Sequence, residues 1–140
     1  MREPKKQKRI KSVAKNSGRI KVEDEPNYED MPPIFSLERV QNCKYCFSKL
    51  KLEDQAAFAT AMFRRRETTW KSIKQTHRHG IGFEKIPKNV IKAGIPPFIT
   101  HEMNDFIAFR FSGKKPMVGY RQKNIFYVLW FDLDFTLYKH

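Results

Sequence analysis

The hydrophobic pattern is densest between Asp105 and His140. Three β-type runs follow one another there, over residues 106–111, 116–121 and 125–131, each rich in aromatic and β-branched side chains. Ser112-Gly113-Lys114 and Gln122-Lys123-Asn124 separate them, and connections this short place successive strands antiparallel. The pattern therefore predicts a three-stranded meander. In its first strand Ile107, Phe109 and Phe111 share one face, which is wholly apolar and has to be buried. Phe106, Ala108 and Arg110 share the other.

Upstream the period changes from two to that of a helix. Over residues 51–66, Leu52, Ala56, Ala59, Met62 and Phe63 recur at helical spacing. Glu53 and Asp54 stand in the first turn and Arg64, Arg65 and Arg66 in the last, an order that suits the helix dipole. Thr68 or Thr69 then caps a second helix carrying Trp70, Ile73 and His77, which Gly80 stops. Ser36 is placed to cap a short helix reaching Val40. Between residues 82 and 100 the chain turns repeatedly. Phe83, Ile86, Val90 and Ile91 suggest a short helix interrupted by Pro87, and residues 98–100 an extra edge segment. The fold class expected is α+β, with N-terminal helices packed on a small antiparallel sheet of three to four strands.

Residues 1–30 are polar and carry Lys5-Lys6-Gln-Lys8-Arg9 as well as an acidic run around Glu23-Asp24-Glu25. They read as a flexible arm, with residues 31–140 as a single domain. Charge sharpens this division. The chain has a net charge of +13, yet residues 1–30 hold nine Lys/Arg against six Asp/Glu, so ten of those charges belong to 31–140. The globular part itself is basic, which favours an anionic partner such as nucleic acid. No acid occurs between Asp105 and Asp132, whereas Lys114, Lys115, Arg121 and Lys123 surround the meander's turns. A lysine-protected sheet edge accounts for these charges as readily as a binding face does.

Cys43-Lys-Tyr-Cys46 has metal-type spacing, but His77-Arg-His79 does not complete a common zinc pattern, and two small buried cysteines are the simpler reading. His77 and His79 are explained as histidines facing a helix C-terminus. No run approaches membrane-spanning length and no signal-peptide core is present, so a cytoplasmic protein without membrane contact is expected.

The run from Phe109 to Asp132, following a helical hairpin, resembles the RelE/ParE toxin superfamily of type II toxin–antitoxin systems, the HigB-like and ParE-like members most nearly. The resemblance covers the architecture of roughly residues 50–140. It implies a toxin that cleaves mRNA in the ribosomal A site through attack of a 2′-hydroxyl on the adjacent phosphate, with no metal or other cofactor. Such chemistry requires a proton acceptor, cations on the phosphorane and a donor to the leaving oxygen. By resemblance Arg110, Lys115 and Arg121 take the cationic roles, and Tyr138 and His140 are the acid–base candidates. Lys114 and Lys123 contact the RNA backbone, and Tyr120 and Tyr127 stack on bases. A cognate acidic antitoxin is the expected protein partner. The family's basic cluster before its last segment is reduced here to Lys139, with Asp132 and Asp134 close by. That leaves two alternatives open: the ParE branch, which binds DNA gyrase without cleaving anything, and a non-enzymatic nucleic-acid-binding module.

Overall fold

The computed structural model describes residues 25–140. Most of the arm expected over 1–30 lies outside the described residues. Within it, Tyr28–Asp30 form a 3-10 turn that Glu29 pins to Lys74 (2.7 Å) and Arg121 (2.6 Å).

Five strands form one mixed sheet: β1 (Ile34–Ser36), β2 (Phe83–Pro87), β3 (Asp105–Ser112), β4 (Lys115–Gln122) and β5 (Ile125–Phe131), ordered β1-β5-β4-β3-β2. The β3–β4–β5 meander stands where the period-two pattern puts it. The sheet is nevertheless larger than the three or four antiparallel strands expected, and it is not purely antiparallel. Residues 34–36 join β5 in parallel rather than leading into a helix capped by Ser36, and residues 83–87 pair with β3 rather than forming a helical turn. Both added strands are too short to show a period of their own, and a neighbour supplies their ladder bonds. Residues 98–100 are a turn, not an edge strand.

Helices α1 (Leu52–Arg64) and α2 (Trp70–Lys74) lie mid-chain and cover one face of the sheet. The buried stripe of α1 is not the apolar one read from its sequence. Leu52 and Phe63 are largely exposed, whereas Asp54, Phe58, Ala61 and, just past the helix, Arg65 point inward. Phe58 packs edge-on against Phe131 and Phe111. Arg65 is fully buried; it donates to the Ala61 carbonyl (2.8 Å) and the Ile81 carbonyl (2.9 Å) and lies over the Phe109 ring. Burial, with Arg64 close by, lowers its pKa to about 10. Thr69 caps α2 by accepting from the Ser72 amide (3.1 Å), and the helix ends at Lys74, so His77 and His79 lie in the turn beyond it.

The second face of the sheet is apolar too. Phe106, Ala108, Val118, Leu129 and Trp130 pack against Ile86, Tyr45, Leu137 and Tyr138. Two irregularities set what each face shows. Val118 pairs with Trp130 and Gly119 with Val128, so Leu129 is a bulged residue; its freed carbonyl accepts from the Gln41 amide (2.9 Å). The strands approach closely at Gly119, where a β-carbon would fall 1.9 Å from the Tyr127 carbonyl oxygen. A second shift, between Arg110 and Ser112, leaves Arg110 at the end of the second face while Ser112 bonds Asp54 on the helix side (2.9 Å).

No helix among the described residues is long and apolar enough to cross a membrane. Contrary to the buried pair expected, Cys43 is exposed and Cys46 half-exposed, in a turn closed by the Cys46 amide on the Cys43 carbonyl (3.0 Å). Among the described residues no group of three or more His, Cys, Asp or Glu is arranged to hold a metal ion.

Candidate functional site

At the end of the sheet where β3 turns into β4, the second face stops being apolar and titratable groups collect. Arg110 pairs in register with Pro116, whose carbonyl accepts from the Asp132 amide (2.9 Å). Arg110 and Asp132 are therefore two strands apart, ~10 Å across the sheet. The gap between them is framed by the turn after α2 on one side and by residues 133–140 on the other.

Asp132 organises the second of these. Its side chain is completely buried and accepts three bonds: from the Thr136 amide (2.9 Å), the Leu137 amide (3.1 Å) and His140 Nε2 (2.9 Å). This carboxylate folds the segment after β5 back on itself and orients the His140 imidazole, in the way a buried acid fixes the tautomer of a catalytic histidine. With Nε2 engaged, Nδ1 is left without a hydrogen-bond partner among the described residues. The ring also stacks on Tyr138 (4.1 Å between centroids) and meets the edge of Phe135 (5.1 Å).

Tyr138 is buried. Burial first, then the negative charges of Glu84 and Asp132, push its phenol well above the ordinary value despite Arg110 and Arg78 close by. It stays protonated near neutral pH and, as an uncharged phenol, packs against the His140 ring.

The opposite wall comes from residues the sequence presents as helix-end histidines. The Arg110 guanidinium contacts His79 Nδ1, the His77 and His79 rings stack at 4.5 Å, and Arg78 pairs with Glu84 of β2 (3.1 Å). Desolvation, followed by the charges of Arg110, His77, Arg78 and Lys114, holds the His79 imidazole below its ordinary value. It is neutral at pH 7 and can accept a proton. His79, Arg78 and Asp132 are members of the site that sequence reasoning missed. The signal available was the basic triplet His77-Arg78-His79; what hid it was that α2 stops at Lys74 and releases those residues into a turn.

The other candidates lie elsewhere. Lys115 points to the helix side, where its ammonium pairs with Asp54 (3.0 Å). Burial would raise the Asp54 carboxyl, but bonds from Lys115 and Ser112 outweigh it and hold the group below the usual range. Arg121 is ~20 Å from Lys115 along β4. It pairs with Glu29, donates to the Lys123 carbonyl (2.6 Å) and covers Trp70 (4.4 Å). Lys123 occupies the β4–β5 turn with φ 59°, 6.0 Å over the Tyr28 ring. Tyr120 and Tyr127 stack on each other (5.2 Å) at that same far end, with the Arg39 guanidinium 4.3 Å over Tyr127 and bonded to the Tyr120 hydroxyl. The fold thus gathers Arg110, Tyr138 and His140 into one corner, with Lys114 at its edge, and puts Lys115, Arg121, Lys123, Tyr120 and Tyr127 outside it.

No protein-family model matches this chain, and no curated protein or solved structure is significantly similar to it.

Proposed function

We propose that this protein is an RNA-cleaving toxin of the RelE/ParE type, which stops translation by cutting mRNA without a metal and is held in check by an acidic antitoxin. The observation that carries the reading is a strand cation, Arg110, in contact with the His79 imidazole, with a second imidazole, His140, held on buried Asp132 two strands away at the same sheet end. His79 is held below its ordinary value by desolvation first and then by the cations around it; His140 is oriented by a buried carboxylate. The helix pair packed on an antiparallel meander agrees with the resemblance drawn from the residues, and the excess basic charge agrees with an anionic substrate.

On this reading each residue has a part in the chemistry. A phosphodiester entering the corner draws the Arg110 guanidinium to its oxygens, and this frees His79 Nδ1. His79 then takes the 2′-hydroxyl proton, and the 2′-oxygen attacks phosphorus. Arg110 and Arg78 balance the charge on the phosphorane. The bond to the 5′-oxygen breaks as protonated His140 delivers a proton from Nδ1, its cation stabilised by Asp132. The products are a 2′,3′-cyclic phosphate and a 5′-hydroxyl end. Tyr138 and Asp132 are positioning residues.

The test is induced expression in bacteria of the wild type beside Arg110→Ala, scoring growth and pulse-labelled protein synthesis. The reading predicts rapid translation arrest by the wild type and none by the variant. Growth arrest with translation intact would favour the gyrase-directed alternative. Normal growth with soluble protein present would leave only a binding role.

A further inference from the structure

A second basic feature lies behind the catalytic corner. On the helix side of the same sheet end, a cavity of about 340 Å³ is lined by Lys44, Lys49, Lys51 and Lys115, with Asp54 and Asp134 as its acids. Its size falls in the range of small-ligand sites, ~300 Å³ and above. Asp54 is already engaged by Lys115 and Ser112. Lys44, Lys49 and Lys51 are exposed, and among the described residues no ion pair engages them. Asp134 is left as one carboxylate against three ammonium groups. Solvated lysines normally spread apart; here three from one short segment line one concavity with a fourth from β4.

The cavity and the corner share their backbone. Lys115, in the cavity wall, precedes Pro116, the register partner of Arg110. Leu133 and Asp134, also in the wall, follow Asp132, the anchor of His140. Lys114 is exposed at the β3–β4 turn between the two places, and its charge reaches His79. A basic path therefore runs from Arg110 around the turn to the lysines.

We infer that this cavity is a phosphate subsite for the RNA strand flanking the cleaved bond. The strand leaves Arg110, passes Lys114 and seats a neighbouring phosphodiester among Lys44, Lys49 and Lys51. This rests on the RNA-cleaving reading and adds to it a requirement for length: the preferred substrate is a single strand reaching beyond the scissile dinucleotide. Single-strand contacts of this kind are electrostatic and indifferent to sequence.

The experiment uses the full chain and an eight-nucleotide 2′-O-methyl RNA, which binds but has no free 2′-hydroxyl to attack. Affinity is measured by fluorescence anisotropy over a range of salt for wild type, Lys49→Gln/Lys51→Gln, and a control of equal charge, Lys71→Gln/Lys92→Gln. The subsite predicts a loss of about tenfold for the first pair, a salt slope reduced by ~0.7 for the one phosphate no longer neutralised, and little change for the control. Equal effects of the two pairs, or an unchanged slope, would overturn it. Cleavage of an all-ribo octamer and of a dinucleotide separates the two ideas. Selective loss on the octamer supports the subsite. Cleavage by the wild type with the Lys49/Lys51 variant indistinguishable on both substrates sinks the subsite and leaves the nuclease standing. Selective loss of binding with no cleavage by any form, naked or on ribosomes, does the reverse. All four lysines substituted are exposed, so unchanged thermal midpoints are expected as a check on folding.

Discussion

Asp132→Asn tests how the site is held, and its size can be worked from the geometry. The carboxylate accepts at Oδ1 from the Thr136 amide and at Oδ2 from both the Leu137 amide and His140, and it is wholly buried. An asparagine offers one acceptor oxygen. In either orientation its amide nitrogen faces at least one backbone N–H, so one charge-assisted bond is lost and a buried donor is left against a donor. Bonds to a charged group are worth ~1.5–3 kcal/mol and an orphaned donor costs ~1–3 kcal/mol; the two overlap, since the lost bond is what orphans the donor, so a loss of about 2–4 kcal/mol is expected. For a domain of this size that lowers the thermal midpoint by ~10 °C. His140→Ala removes only the third bond, from a partly exposed ring, and is expected to cost under ~1 kcal/mol. Chemical denaturation of both variants, with the imidazole tautomer of His140 followed by NMR in Asp132→Asn, gives the comparison. An unfolding free energy for Asp132→Asn within ~0.5 kcal/mol of wild type, or a His140 ring unchanged in tautomer, would refute the claim that this carboxylate holds the segment after β5.

Three further outcomes follow from particular contacts. Gly119→Ala places a β-carbon 1.9 Å from the Tyr127 carbonyl oxygen, so it is expected to lower stability by ~3 kcal/mol or leave the protein insoluble, read by denaturation or by soluble yield. Asp54 has its folded pKa depressed, so its contribution is present above the unfolded carboxylate value and is lost as pH falls through the folded one. The stability advantage of wild type over Asp54→Asn should be constant near neutrality and shrink below about pH 4 in acid titrations of stability. Hydrogen bonds from the Ser48 side chain and backbone lead the effects that hold the Cys46 thiol below its ordinary value. Ser48→Ala should move the pH midpoint of Cys46 alkylation upward, measured by mass spectrometry, with Cys43 unaffected.

The meander was legible because its signals are local. Alternating aromatic and β-branched residues, with Ser112-Gly113-Lys114 and Gln122-Lys123-Asn124 between them, place the three strands within a residue or so of β3, β4 and β5. Strands β1 and β2 were not legible. Three residues carry no period, and Phe83 with Ile86 suits a helical turn as well as a strand whose ladder bonds come from β3. The face of α1 misled for a different reason. Its buried stripe contains Asp54 and Arg65, which any apolar count assigns to solvent, and each is tolerated inside because distant residues supply its partners: Ser112 and Lys115 for one, the Ile81 carbonyl for the other. The bulge at Leu129 likewise depends on Gln41, far away in sequence.

The corner was half legible. Arg110 and His140 stood out as a strand cation and a histidine beyond the last strand, and the fold puts them at the same end of the sheet. His79 and Asp132 did not. The first depends on where α2 stops, and the second was read as acid unwelcome to RNA, whereas its carboxylate faces inward and serves three donors. Arg121 and Lys123 looked like members of the same basic set because β4 is compact in sequence; an extended strand separates its ends by ~20 Å.

The central claim is tested most directly by mapping the ends of RNA cut by the purified protein. Wild type, Arg110→Ala and His140→Ala are incubated, with EDTA present, with naked mRNA; ribosome-bound mRNA, which needs Mg²⁺ to stay assembled, is incubated without chelator. The account predicts wild-type fragments ending in 2′,3′-cyclic phosphate and 5′-hydroxyl, and losses of ~10²-fold or more in each variant. Intact RNA in both settings with folded protein present, or equal cutting by Arg110→Ala, would contradict it.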